Sequence, residues 1–378
     1  MRRAALDETR SESLPEEGQL IAGKYRIERL IGKGAMGAVF AAHHEILRKS
    51  VALKVISEEQ ARTPQTVNRF LNEARAAAGI EGEHVARVLD VGQLDDGAPF
   101  MVLELLEGAD LGQVLAERRP LPVPDVVDWA LQGLEGLAEA HLLGIVHRDL
   151  KPANLFLARK RDGTSIVKVL DFGVSKHASS AGLSPSMTAT SAILGSPLYM
   201  APEQLRDAKS VDVRADVWAM GVVLYELLAG HLPFQADNVA ELFVAVLEHA
   251  PPSLCAARAD VPQALDDIVM RCLSRDVGAR FQNVGELAAA LEPFASTGTH
   301  PSVKHIGHMF QTARQWTRAE SASRPSRRRS PRVVAVALAA LGIGFAVTMR
   351  LLVAGHVGRP PLSVPQPLVP DAPSRVAH

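Results

Sequence analysis

Between Tyr25 and about Phe294 the chain alternates apolar and polar positions in two distinct rhythms. The first third holds short, strand-like runs. Val51-Ala52-Leu53-Lys54-Val55 and Phe100-Met101-Val102-Leu103 are examples, set apart by glycine and by an Asp96-Gly97 turn. Arg69 to Arg75 has the spacing of an amphipathic helix within that strand-rich part. Further on, apolar residues recur at helical spacing over Val126 to Leu143 and again over Ala215 to Leu228. No repeat of 20–50 residues is visible, so solenoids and propellers are excluded. The pattern predicts one globular region over residues 25–294, strand-rich first and helix-rich after.

The flanks read differently. Residues 1–24 are polar and are expected as a flexible leader without the apolar core of a secretory signal. Residues 295–332 are rich in Ser, Thr, His and Arg and are expected as a linker. Residues 333–349 carry no charge; Arg350 interrupts, and Leu351 to Ala354 resume the apolar run. Seventeen helical residues reach about 25 Å, short of a bilayer core, but the run through Ala354 is long enough if Arg350 snorkels. A transmembrane helix over 333–354 is therefore predicted. The tail 355–378 has six prolines and no cysteine pair, so it is not expected to form a folded sensor.

Composition sharpens this division. Of 378 residues, 47% are hydrophobic and 22% charged, which excludes disorder throughout. Two cysteines, Cys255 and Cys272, cannot build a disulfide framework or a four-ligand zinc site. The net charge of −1 excludes an overall basic nucleic-acid binder. It conceals a split, because eight Lys/Arg against one acid crowd into residues 295–332. Arg324, Arg327, Arg328, Arg329 and Arg332 sit just before the uncharged run 333–349, and Arg350 and Arg359 sit just after it. The heavier basic side stays cytoplasmic, so a single-pass cell-membrane protein with its globular region inside is expected. The same arginines suit anionic lipid head groups, and no aromatic residues interleave them as nucleic-acid binding would require. His300, His305 and His308 read as solvated linker positions, since no neighbouring carboxylate or cysteine completes a metal set.

The candidate chemistry lies in the globular region. Gly32-Lys33-Gly34-Ala35-Met36-Gly37-Ala38-Val39 fits a glycine-rich hairpin whose backbone can approach phosphates. Strand-like residues follow it, not the helix that a dinucleotide-binding turn would have. Lys54 stands in an apolar strand, where an ammonium is costly unless it meets an anion; Glu73, nineteen residues on, can pair with it and aim it at nucleotide phosphates. In His147-Arg148-Asp149-Leu150-Lys151-Pro152-Ala153-Asn154, Asp149 can accept a hydroxyl proton and Asn154 can offer an amide oxygen to Mg²⁺. Asp171, opening Asp171-Phe172-Gly173 after a predicted strand, supplies a carboxylate for the same metal.

In this order the motifs resemble those of a eukaryotic-type serine/threonine protein kinase, of the bacterial membrane-anchored kind, over residues 25–294. Ala201-Pro202-Glu203 closes the activation segment, Asp216 falls in Asp216-Val217-Trp218, and Arg280 lies in the motif after Asp276. The resemblance implies an α+β, two-lobed protein kinase fold: a small β-rich lobe with one key helix and a larger helical lobe, here with the C-terminal transmembrane helix added. It implies transfer of the γ-phosphoryl of ATP to Ser/Thr hydroxyls of protein substrates with Mg²⁺, or Mn²⁺ in its place. Ile31, Val39 and Ala52 would roof the adenine and Phe156 floor it. Leu103 would be the gatekeeper before a hinge of Glu104, Leu105 and Leu106, and Asp110 would meet ribose. Lys151 resembles the serine/threonine branch and would steady the γ-phosphate. Asp216 would brace the catalytic loop and Arg280 would pair with Glu203. Arg148 would bind a phosphate on the activation segment, with Thr188 and Thr190 as autophosphorylation candidates, phosphorylated in trans within a homodimer or between neighbours. A kinase-like scaffold without transfer would lack some of Lys54, Asp149, Asn154 and Asp171, and all four are present.

Overall fold

The computed structural model describes residues 14–34, 37–172, 197–207, 211–296 and 300–323. One compact unit covers residues 1–316 and carries everything discussed below. Of a second unit, 317–378, only the stretch to Ser323 is described. The predicted span 333–354 and the tail after it lie outside the described residues. Among the described residues no helix is long and apolar enough to cross a membrane.

The strand-rich third is an antiparallel six-stranded sheet in the order β1-β2-β3-β4-β6-β5. Its strands are β1 (Leu20–Ile21), β2 (Tyr25–Gly34), β3 (Gly37–His44), β4 (Lys49–Ile56), β5 (Val88–Gln93) and β6 (Pro99–Glu104). Strand alternation sorts β4 cleanly. Val51, Leu53 and Val55 enter a small core with Tyr25, Ile27, Phe40, Phe100 and Val102, which leaves Ala52 and Lys54 on the other face. After β4 come α1 (Glu58–Ala61) and α2 (Pro64–Ala78). Proline opens α2 at its first turn, and Phe70, Glu73, Ala74 and Ala77 form its buried face.

The larger lobe begins with β7 (Gly108–Asp110), α3 (Leu111–Glu117) and α4 (Val123–Leu142). β8 (Leu155–Arg159) and β9 (Ser165–Val169) join β7 in a three-stranded sheet. Then follow α5 (Pro202–Arg206), α6 (Arg214–Ala229), α7 (Val239–Glu248), α8 (Leu254–Ala257), α9 (Gln263–Cys272), α10 (Val284–Leu291) and α11 (Pro301–Ser323). α6 is apolar almost all round because it runs through the lobe's centre, burying Trp218, Val222, Leu224 and Tyr225; Gly230 ends it in a left-handed turn at φ 79°. α4 packs beside it and against β9. At Gly136 of α4 a Cβ would sit 2.6 Å from the His84 carbonyl oxygen, so only glycine lets the loop before β5 lie this close.

Both expected flanks differ from the sequence reading. The leader does not stay separate through residue 24: Leu20 and Ile21 pair with Arg26 and Tyr25, and Gly18 donates its N–H to the Ile27 carbonyl at 2.8 Å. The linker expected over 295–332 is helical from Pro301 to Ser323. Its first turns dock on the large lobe, where Ile306 joins the core at 1% exposure. His300 is buried, and His305 contacts Glu135 of α4, so neither is a freely solvated linker histidine; His308 is exposed. The reason is burial: a few apolar residues on one face suffice once a partner surface exists.

A candidate nucleotide and phosphotransfer site

The site lies where the two lobes meet. Ala52 and Lys54 project from β4 between Val39 of β3 and Leu103 and Met101 of β6; Lys54 is registered opposite both Val39 and Met101. With Ile31, these residues form one wall of a cavity. Leu103, Glu104, Leu105 and Leu106 line its back edge and Phe156 of β8 closes it from the large lobe. The lining at this end is mostly apolar, which suits a heterocycle. Met101, Ala77, Val85 and Ala86 also line it and were not singled out in the sequence. Strand alternation from Leu103 and helical spacing from Glu73 were the signals that would have found Met101 and Ala77.

The charged end is built from three elements. Lys54 Nζ donates to Glu73 Oε1 at 2.8 Å and to Asp171 Oδ1 at 2.7 Å. Burial works against the ammonium, but the carboxylates of Asp171 and Glu73 overcome it and raise its pKa. Burial pushes the Glu73 carboxyl up against the pull of Lys54, while Lys54 outweighs burial at Asp171 and keeps that carboxyl low. Asp171 is thus an anion, about half exposed to the cleft at 51% of its side chain. Phe172 turns the other way, buried beneath the His147 ring at 4.9 Å between centroids. The backbone changes direction between them, with Asp171 at φ 48°.

The catalytic-loop residues are held with equal definition. Asp216, at the start of α6 and fully buried, accepts from His147 N–H at 2.8 Å, Arg148 N–H at 2.8 Å and His141 Nε2–H at 2.8 Å. Burial opposes its charge, but these donors hold its pKa low. Two of them pin a strained residue, since Arg148 sits at φ 65° without being glycine. His147 Nε2–H donates to the Leu170 carbonyl at 2.9 Å and its Nδ1 accepts from Asp149 N–H at 3.3 Å, so the ring is neutral, as its burial also favours. Asp149 Oδ2 accepts from Lys151 Nζ at 3.2 Å, and Asn154 Nδ2 donates to the Asp149 carbonyl at 2.8 Å. That bond leaves the Asn154 amide oxygen for another partner. An ionised Asp171 and a neutral amide oxygen form a donor set that fits Mg²⁺, which takes few protein ligands beside phosphate and water.

The remaining predicted residues sort as follows. Gly32 and Gly34 have open space where a Cβ would stand, whereas at Gly37 (φ +156°) a Cβ would meet the Val55 carbonyl oxygen at 1.9 Å. Gly37 therefore seats the hairpin on β4, a task separate from approaching phosphate. Asp110 does not line the cavity; its carboxylate caps α3 by accepting the Gln113 N–H at 3.0 Å. Arg280, fully buried, grips Glu203 with two bonds of 2.7 Å and lies 5.0 Å from the Trp218 ring centroid. Thr188 and Thr190 fall outside the described residues.

An apolar cavity, a lysine held between two carboxylates and a braced aspartate beside a second lysine are the layout of a phosphotransferase of the kinase type. Residues 25–290 match the protein kinase domain, and the chain belongs to that family. Within that family the chain is similar to bacterial serine/threonine kinases. It is 39% identical to the serine/threonine-protein kinase pkn3 of Myxococcus xanthus over 277 residues, 73% of this chain and 50% of that protein. The chain thus spans about half the length of that relative. It is 36% identical to serine/threonine-protein kinase PknL of Mycobacterium tuberculosis over 281 residues, covering 74% of this chain and 68% of that one. Its structure is similar to the M. tuberculosis PknI kinase domain, with a TM-score of 0.59 and 29% identity over 75% of this chain and all of that one.

Proposed function

We propose that the chain transfers the γ-phosphoryl group of ATP to Ser/Thr hydroxyls of proteins at the site around Asp149. The observation that carries this is the unbroken chain from Glu73 through Lys54 to Asp171, which holds both lobes in one working arrangement. Lys54 meets the α- and β-phosphates, and Gly32 and Gly34 lie over them, with Gly37 fixing the hairpin that carries both. Ile31, Val39, Ala52, Leu103, Glu104, Leu106 and Phe156 enclose the adenine. Asp171 and Asn154 would hold Mg²⁺, which supplies charge neutralisation for the polyphosphate.

The substrate hydroxyl oxygen attacks Pγ as the bond from Pγ to the bridging oxygen of ADP breaks, and the hydroxyl proton passes to Asp149. Lys151, already 3.2 Å from Asp149, offsets the charge on the transferred group. Positioning and electrostatics do most of the work in such a transfer. Asp149→Asn is expected to lower the rate at least about 10²-fold while ADP binding persists. Phosphorylation of a Ser/Thr peptide at the wild-type rate by that variant would remove Asp149 from this role.

The chain is further read as a single-pass membrane kinase in signal transduction, its catalytic lobes cytoplasmic. The support is the uncharged run 333–349 behind a row of arginines that suits anionic lipid. Sedimentation tests it: the full chain should stay with membranes and enter solution only with detergent. Autophosphorylation at Thr188 or Thr190, in trans between neighbouring copies, would let Arg148 pair with the new phosphate. Mass spectrometry of active protein is the check, and an unmodified 177–206 peptide from fully active enzyme refutes it.

A further inference from the structure

We propose that Glu135 and His305 are positioning residues for the nucleotide site, acting through His84, so that helix α11 helps set nucleotide affinity. The proposal rests on the phosphotransfer reading above, and extends it to a helix beyond the matched domain, which ends at residue 290.

Glu135 sits midway along α4, 5% exposed, in a stretch otherwise made of leucine, alanine and glycine. A carboxylate there is costly unless it is paired. Its partners come from two directions. From α11, His305 Nδ1–H donates to Oε1 and the Ser302 hydroxyl adds a second bond. From the loop between α2 and β5, His84 Nε2 lies 3.3 Å from Oε2. The other ring nitrogen of His84, Nδ1, lies 2.8 Å from the Val167 carbonyl oxygen. Both nitrogens face acceptors, so both carry hydrogen and the ring is an imidazolium.

That imidazolium fastens the α2–β5 loop to β9. Val169 N–H donates to the His84 carbonyl at 2.8 Å and Ala86 N–H to the Val169 carbonyl at 3.0 Å. The next two loop residues, Val85 and Ala86, line the nucleotide cavity, and Asp171 follows Val169 by two positions. Glu73 lies on α2, the helix that leads into this loop. Glu135 therefore holds the rear of the cavity through His84, and α11 supplies the other half of its pairing. α11 is firmly seated for this: Ile306 is buried, Val303 and Met309 pack on the core, and the Phe310 ring lies 3.0 Å from where a Gly285 Cβ would stand.

The test uses the full chain in detergent with a Ser/Thr peptide, ATP titration and calorimetry of ADP. His305 is exposed over about half of its side chain (54%), so His305→Ala should fold normally. It is expected to raise the ATP KM and the ADP Kd about fivefold, with kcat within about twofold, at the low end of couplings between distant sites. His305→Gln, whose amide can donate to Glu135, should restore both values. His308→Ala, on an exposed face of the same helix, should change neither. Unchanged KM and Kd in His305→Ala overturn the proposal, and so does a loss confined to kcat or a Tm shift with nucleotide affinity intact. If the wild-type chain binds ADP but transfers no phosphate, the phosphotransfer reading fails and the ADP comparison still decides this one.

Discussion

Replacing Arg280 by methionine removes a cation that is fully buried and bonded on every side. It gives up two bonds of 2.7 Å to Glu203, one of 2.7 Å to the Ser274 carbonyl and one of 3.1 Å to the Arg214 carbonyl. The methionine can recover the packing against Trp218, so the loss is chiefly electrostatic. Breaking a buried ion pair costs about 3–5 kcal/mol, because the surviving partner stays desolvated. Glu203 keeps 18% of its side chain exposed and can rehydrate in part, which places the cost near the lower end. At about 2–4 °C per kcal/mol for a domain of this size class, Tm should fall by about 6–12 °C. Differential scanning fluorimetry of Arg280→Met, Glu203→Gln and the double variant measures it. The double variant no longer strands a carboxylate, so the two changes together should cost less than their sum by at least about 1.5 kcal/mol. A drop of under about 2 °C in Arg280→Met, or additive effects in the cycle, would refute the claim that this pair anchors α5 to the core of the large lobe.

Three further outcomes follow from the same geometry. Gly37→Ala should lower Tm and weaken ADP binding, because its Cβ would meet the Val55 carbonyl oxygen at 1.9 Å, while Gly34→Ala, facing open space, should leave Tm unchanged. Asp216→Asn replaces an acceptor of three bonds by an amide that must turn donors toward donors, so Tm and kcat should fall together in a paired melt and rate assay. Stability should also depend on pH through Glu135 and His84, which face one another and His305, with Glu83 and Glu139 close by. His84 is raised above its ordinary 6.5 as the bonds to Glu135 and Val167 outweigh burial, so its contribution is complete below that value and fades as pH rises through the folded pKa. Glu135 is held at about 2 because His84, Ser302 and His305 outweigh burial, so its contribution is complete above 4.5 and fades as pH falls below it. Melts across pH 4 to 9 should therefore show a plateau near pH 5–6 that Glu135→Gln flattens.

The sequence by itself determined where the candidate chemical groups stand along the chain. Asp149, Lys151 and Asn154 lie within six positions of one another, and Asp171 follows a strand, so local chain geometry alone delivers them together. Strand alternation likewise put Ala52 and Lys54 on one face of β4, and the apolar runs fixed α4 and α6. Tertiary structure decided what depends on surfaces far apart in the chain. Residues 295–332 read as a linker because apolar side chains such as Val303, Ile306, Met309 and Phe310 are spread among polar ones; only packing on the large lobe buries Ile306 and half-buries the other three. The histidines there looked solvated for the same reason, since their carboxylate partner, Glu135, lies 170 positions away. Gly37 shows the converse limit: its place in a glycine motif was legible, but the carbonyl of Val55 that forbids a side chain there belongs to a neighbouring strand. Sequence spacing sets which groups can meet within a turn or a strand, whereas burial and long-range pairing are properties of the packed chain, and they assign each group its charge and its partner.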